Sequence, residues 1–177
     1  MNCNNTLCLI VDIQERLQPV MSDAAAVVKQ SAVLIQGLTA LGVPLAATEQ
    51  YPQGLGTTVP EIKALLGGAP VFEKTRFSAF VPEVETLLQG KNIRNVILAG
   101  EETHICMLQT VLDLRQAGYA VYVPYDCTTS RSPANKENGL QQMRGAGAVV
   151  SNCESLLFLL LQDAVHPAFK TVSNLIR

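Results

Sequence analysis

The chain has 177 residues, 48% of them apolar and 16% charged, with 13 basic against 15 acidic side chains and a formal charge of −2 at neutral pH. A chain of this length buries roughly 70% of the surface it exposes unfolded, so it holds a core without disulfide or metal staples, and it reads as a single domain over 1–177. Charges this balanced and scattered argue against nucleic acid and membrane surfaces as partners, and a charged fraction below the roughly 25% of an average domain points to a homo-oligomer, dimer or tetramer, covering part of the surface.

In chain order, the apolar run 6–11 reads as a buried strand that ends in an acid, Asp12. Apolar residues at helical spacing over 22–41 predict a helix, with Ser22 or Asp23 to cap it and Gly42 to stop it. A strand follows at 43–48, a short helix at 61–66, a strand at 71–73 and a helix at 82–88 with proline in its first turn. Residues 95–99 form a fourth strand. A helix over 103–117 has Thr103 as its cap and Gly118 as its stop, and 119–124, 133–144, 148–151 and 155–162 continue as strand, helix, strand and helix. Six apolar strands alternating with helices imply an α/β fold: a three-layer α/β/α arrangement around a six-stranded, mostly parallel, Rossmann-like sheet.

In such sheets, sites lie beyond the carboxyl ends of the strands, near the switch point. That rule selects Asp12 after the first strand, Glu49-Gln50-Tyr51 after the second, Lys74 after the third and the stretch from Gly100 to Cys106 after the fourth. An acid to accept a thiol proton, an ammonium to favour the thiolate and a sulfur to attack are sufficient for nucleophilic catalysis. Cys106 falls in the first turn of a predicted helix, where free N–H groups and the helix dipole are expected to lower its pKa. Cysteines at 3, 8, 106, 127 and 153 are odd in number and lack framework spacing, which suits a reducing, cytoplasmic compartment. The opening Met1-Asn2-Cys3-Asn4-Asn5 has no basic leader, and the apolar run 156–161 is too short to span a bilayer.

Three segments carry a wider resemblance: Leu9-Ile10-Val11-Asp12-Ile13-Gln14, Glu73-Lys74-Thr75-Arg76-Phe77-Ser78-Ala79-Phe80, and Leu98-Ala99-Gly100-Glu101-Glu102-Thr103-His104-Ile105-Cys106. Together and in order they resemble the isochorismatase-like cysteine hydrolases, which include nicotinamidases and carbamoylsarcosine amidases. Glu49-Gln50-Tyr51-Pro52, Ser130-Arg131-Ser132 and the stretch from Asp163 to Lys170 are similar to the branch of isochorismatase-domain-containing proteins. The resemblance implies a triad of Asp12, Lys74 and Cys106, the three residues already reached from strand position. It also implies a cis peptide between Glu101 and Glu102, with an oxyanion hole from the N–H groups of Glu102 and Cys106.

One departure carries information. Nicotinamidases of the family hold a metal with an acid and histidines after the second strand, whereas this chain has Thr48, Glu49, Gln50 and Tyr51 there and no histidine before position 104. A lone Glu49 among amides is a poor site for a borderline metal, so no metal and no cofactor are expected. A cysteine that vinyl-ether hydrolysis need not employ likewise disfavours isochorismatase activity itself. The expectation is a metal-independent hydrolase of a small amide acting through a thioester, with Gln50, Tyr51 and Phe77 as candidate substrate-binding residues. The alternative is a catalytically weak scaffold that binds a metabolite or a protein partner. Each residue also has a structural reading: Cys106 as a buried hydrophobe, Asp12 as a cap or bridge, Lys74 as a surface lysine, Phe77 as core and Arg131 as half of an ion pair rather than a substrate-carboxylate binder. His104, two residues from Cys106, should face the other way, and His166 reads as surface structure.

Overall fold

Every residue of the first strand, β1 (Thr6–Val11), is buried in the computed structural model, which describes residues 1–177. An uninterrupted apolar strand suits a position with neighbours on both edges and helices on both faces. β1 pairs in parallel with β2 (Leu45–Gln50) on one edge and with β4 (Asn95–Glu101) on the other. β3 (Val71–Lys74) extends the sheet beyond β2, and β5 (Ala120–Pro124) then β7 (Val149–Ser151) extend it beyond β4, giving the order β3-β2-β1-β4-β5-β7. All these pairs are parallel. A seventh strand, β6 (Thr128–Thr129), adds to the upper end of β4. Two residues are too few to show a period, so the sequence does not reveal it.

Alternation along the strands divides the core. Ile10 and Ile97 face one helical layer, α1 (Ala24–Ala40), α3 (Pro60–Leu66), α7 (Cys153–Leu161) and α8 (Phe169–Leu175), whose Leu34, Ile62, Leu157 and Val172 are buried there. Leu9 and Leu98 face the other, α4 (Pro82–Gly90), α5 (Leu108–Gln116) and α6 (Pro133–Gly145), through Leu88, Val111 and Met143. The expected three-layer α/β/α architecture is present. α8 and the single-turn α2 (Pro52–Leu55) were not expected. α1 starts at Ala24, later than its pattern suggests, because Ser22 Oγ donates to the Ser130 carbonyl (2.8 Å) and Asp23 makes no side-chain capping bond. None of the helices is long and apolar enough to cross a membrane.

The chain winds outward from β1 through β2 to β3 and from β4 through β5 to β7, so the direction reverses between β1 and β4. That reversal is where a crevice opens in sheets of this kind. Here the two backbones press together: Gly100, paired with Val11, has φ +135°, and a Cβ on it would lie 2.0 Å from the Val11 carbonyl oxygen. Only glycine fits. Gly100→Ala should lose about 4 kcal/mol or more of unfolding free energy, since backbone rather than a mobile side chain blocks the methyl; urea denaturation checks this, and a loss under about 1 kcal/mol would contradict it.

Candidate active site

Asp12 leaves β1 at φ +56°, a left-handed turn that directs its carboxylate back over the strand ends. The register Val11↔Thr48 sets Thr48 beside it, and Oδ1 accepts the Thr48 hydroxyl at 2.8 Å. Oδ2 accepts Lys74 Nζ at 2.6 Å from the last residue of β3, and both side chains are fully buried. Lys74 is therefore not a surface lysine. The three N–H bonds of its ammonium are shared between Asp12 and three further acceptors, Gln50 Oε1 (2.7 Å) and the carbonyls of Arg76 (3.1 Å) and Phe77 (3.0 Å). Gln50 is held in turn by the buried Gln14, whose Oε1 accepts the Gln50 N–H (2.7 Å) and whose amide donates to the Gln50 and Gly56 carbonyls.

Cys106 comes from β4 through a single π-helical turn, Thr103–Met107, that runs into α5. Such turns place a side chain where a regular helix would not. Thr110 locks this one: its hydroxyl donates to the Cys106 carbonyl (2.6 Å) and accepts the Ala79 N–H (2.7 Å). Cys106 is 7% exposed, and Asp12, Lys74 and the Glu102 backbone are the groups whose charges and dipoles act on its thiol. The expectation of a lowered thiol pKa is overturned. Burial first, then the charge of Asp12, push it up to about 12, with its hydrogen bond to Asp12 adding to the rise, and the Lys74 ammonium and the Glu102 N–H only partly offset them. Burial likewise raises Asp12 above the ordinary aspartate range against the pull of Lys74. The resting thiol therefore keeps its proton at neutral pH.

The Glu101–Glu102 peptide is cis. Beyond it, Glu102 Oε2 accepts both the backbone N–H (3.0 Å) and Nε (3.1 Å) of Arg131, so of the two readings of Arg131 the ion pair is present. His104 faces away from the sulfur, with Nδ1 against Ser130 Oγ (2.9 Å) and Nε2 near Asn135 Nδ2 (3.4 Å). His166 accepts the Ala168 N–H in the connection between α7 and α8.

Of the three candidate substrate-binding residues, Tyr51 is exposed at the mouth of a cavity of about 310 Å³ lined also by Pro52, Lys74, Arg76 and Val81. Phe77 opens onto a different cleft with Ser78 and Leu112, and its carbonyl holds the lysine. The Gln50 side chain is engaged by Lys74 and by the Thr75 carbonyl (2.9 Å). Nor do the residues at the end of β2 fit a metal: Glu49 Oε1 is taken by the Thr58 N–H (2.7 Å) and hydroxyl (2.8 Å), and no imidazole is near. Sequence reasoning missed the clamps Gln14, Thr48, Thr58 and Thr110. Gln14 stands in the quoted strand-end motif and offered a signal; the threonines offered none.

The family model described as isochorismatase domain matches residues 6–155. Isochorismatase domain-containing protein 1 of Danio rerio is 40% identical over 167 residues, which are 94% of this chain and 59% of that protein. The chain thus spans about three fifths of the length of that relative. Isochorismatase domain-containing protein 2 of Bos taurus is 40% identical over 174 residues, 98% of this chain and 83% of its own. Among solved structures, the MAR1 ribonuclease of Caenorhabditis elegans superposes with a TM-score of 0.96 at 37% identity, covering 99% of this chain and 91% of that one. The nicotinamidase PncA of Bacillus subtilis gives 0.75 at 19% identity over 84% of this chain and 99% of its own, a likeness of fold.

The buried pair makes a stability prediction. Lys74→Met strands the Asp12 carboxylate and should cost about 3–5 kcal/mol in urea unfolding, while adding Asp12→Asn should recover a large part of that loss. Strictly additive losses would show that the two groups do not depend on each other.

Proposed function

The chain belongs to the isochorismatase domain family, and from that premise we propose that it is a metal-independent cysteine hydrolase that cleaves the C–N bond of a small amide through a thioester on Cys106. One observation carries the reading: the buried Asp12 carboxylate, bonded to the Lys74 ammonium at 2.6 Å, is also the acid whose charge acts on the Cys106 thiol. Because the resting sulfur keeps its proton, attack requires that Asp12 take it as the C–S bond forms. An aspartate whose affinity for protons is raised by burial is suited to that transfer. The carbonyl oxygen becomes an oxyanion, and the N–H groups of Glu102 and Cys106 receive it.

When the tetrahedral centre collapses, the C–N bond breaks and Asp12 gives its proton to the departing nitrogen, releasing an amine and leaving a thioester. Water then attacks the thioester carbonyl while Asp12 accepts one of its protons. The C–S bond breaks, the proton returns to sulfur, and a carboxylic acid leaves. Lys74 keeps Asp12 anionic at the start of each half-reaction and holds it in place through Gln50 and the 76 and 77 carbonyls.

The ribonuclease name of the C. elegans relative is not carried over. Phosphate backbones demand a positive surface, and acidic residues outnumber basic ones here. An assay across small amides, with an RNA oligonucleotide as one arm, tests the choice. Cys106→Ala and Cys106→Ser should each lower amide turnover by at least about a thousandfold with little change in binding; unchanged turnover in either variant refutes the assignment. Asp12→Asn should separate two properties. Removing the charge that holds the thiol up should speed iodoacetamide alkylation of Cys106, while loss of the base lowers hydrolysis at least about a hundredfold. Slower alkylation together with slower hydrolysis would contradict this role for Asp12.

A further inference from the structure

Resting on that reading, one buried group remains without a role. Glu101, the last residue of β4, is fully buried. Its Oε1 accepts the side-chain amide of Gln18, from the 3-10 turn Gln18–Val20, while its Oε2 is buried with no hydrogen-bond partner. No cation lies within 4.0 Å of it. The charged groups acting on it are both acids, Glu102 just ahead of the π-helical turn and Asp12 just past the end of β1, and its register partner on β6 is the neutral Thr129.

The charges around the crevice therefore do not balance if every acid is ionised. Asp12 has Lys74 and Glu102 has Arg131, leaving three carboxyl groups to two cations. A buried carboxylate with one oxygen unbonded and two like charges nearby is the least favourable of the three to ionise. We propose that Glu101 is a positioning residue of the hydrolytic site: held as the neutral acid it leaves the cluster in charge balance, and once ionised it opposes the negative charge that develops on the sulfur and on the carbonyl oxygen.

Glu101 is joined through one peptide to Glu102, whose backbone N–H the proposed mechanism assigns to the oxyanion, so the charge sits one residue from a group that must stabilise an anion. Burial, with Glu102 and Asp12 adding to it and the Gln18 amide opposing it, raises Glu101 to about 8. The site is then silenced on the alkaline side, where an ordinary thiol would become more reactive. Linkage gives a second consequence. A carboxyl that holds its proton more tightly when folded contributes stability below its ordinary value of 4.5, and that contribution is lost as pH rises toward about 8.

The test compares the full chain with Glu101→Gln. Iodoacetamide alkylation of Cys106, followed by peptide mapping, should give the same rates in both proteins near neutrality. Above about pH 8, where Glu101 ionises in the wild type, they should diverge, the variant reacting roughly tenfold faster because it lacks a negative charge near the thiolate. Coincident profiles above pH 8 would overturn the proposal. Infrared spectroscopy reads the proton directly: the wild-type protein at neutral pH should show a protonated-carboxyl C=O band that vanishes above about pH 8, is missing from Glu101→Gln, and shifts in Gln18→Ala. If Glu101→Gln does not fold, the wild-type and Gln18→Ala spectra still decide, because absence of a Gln18-sensitive band at neutral pH overturns the proposal. Turnover that survives Cys106→Ala would sink the hydrolase reading instead, and both readouts of Glu101 would stand apart from it.

Discussion

A buried carboxylate and a buried ammonium must be kept together, and most of the polar architecture at the strand ends serves that requirement. Either ion alone would be too costly in the interior, by several kcal/mol even after relaxation. Asp12 and Lys74 meet at 2.6 Å, and the remaining valences of each are filled by Thr48, Gln50 and two carbonyls. Gln14 then fixes Gln50, so the clamp runs from β1 through β2 to β3. The fold supplies the place: parallel strands end together, and their reversal between β1 and β4 sets Asp12 beside the turn that carries Cys106.

Where protons rest distinguishes this site from one that stores a thiolate. The dipole of a helix start is worth well under 2 kcal/mol to a charge in most settings. Burial of the sulfur and the adjacent Asp12 carboxylate act in the opposite sense and prevail, raising the thiol to about 12. A thiol raised this far keeps its proton at neutral pH. Glu101, a third acid without a cation, fits the same economy of charge.

Much of this was legible before any coordinates. Uninterrupted apolar strands separated by helix-length segments imply a parallel three-layer architecture, and the rule about strand ends selects Asp12, Lys74 and Cys106, of which the fold bonds the first two and carries the third on the turn after β4. Helical geometry also sent His104 away from the sulfur, as found. What escaped depends on contacts distant in sequence. The Gln14 bonds to residues 50 and 56, the Thr58 bonds to Glu49, and the pairing of two-residue β6 with the end of β4 leave no periodic trace. The direction of the thiol shift is not legible in the sequence for a related reason: burial of one sulfur is set by neighbours from several elements, whereas the helix dipole can be read from a single segment.

Acid quenching during turnover of an amide, followed by intact-mass and peptide mapping, tests the central claim most directly. The account predicts a mass increment equal to the acyl group on the peptide that contains Cys106, discharged by hydroxylamine as a thioester is. Steady turnover with no acylated Cys106, or an adduct on any of the other four cysteines instead, would contradict it.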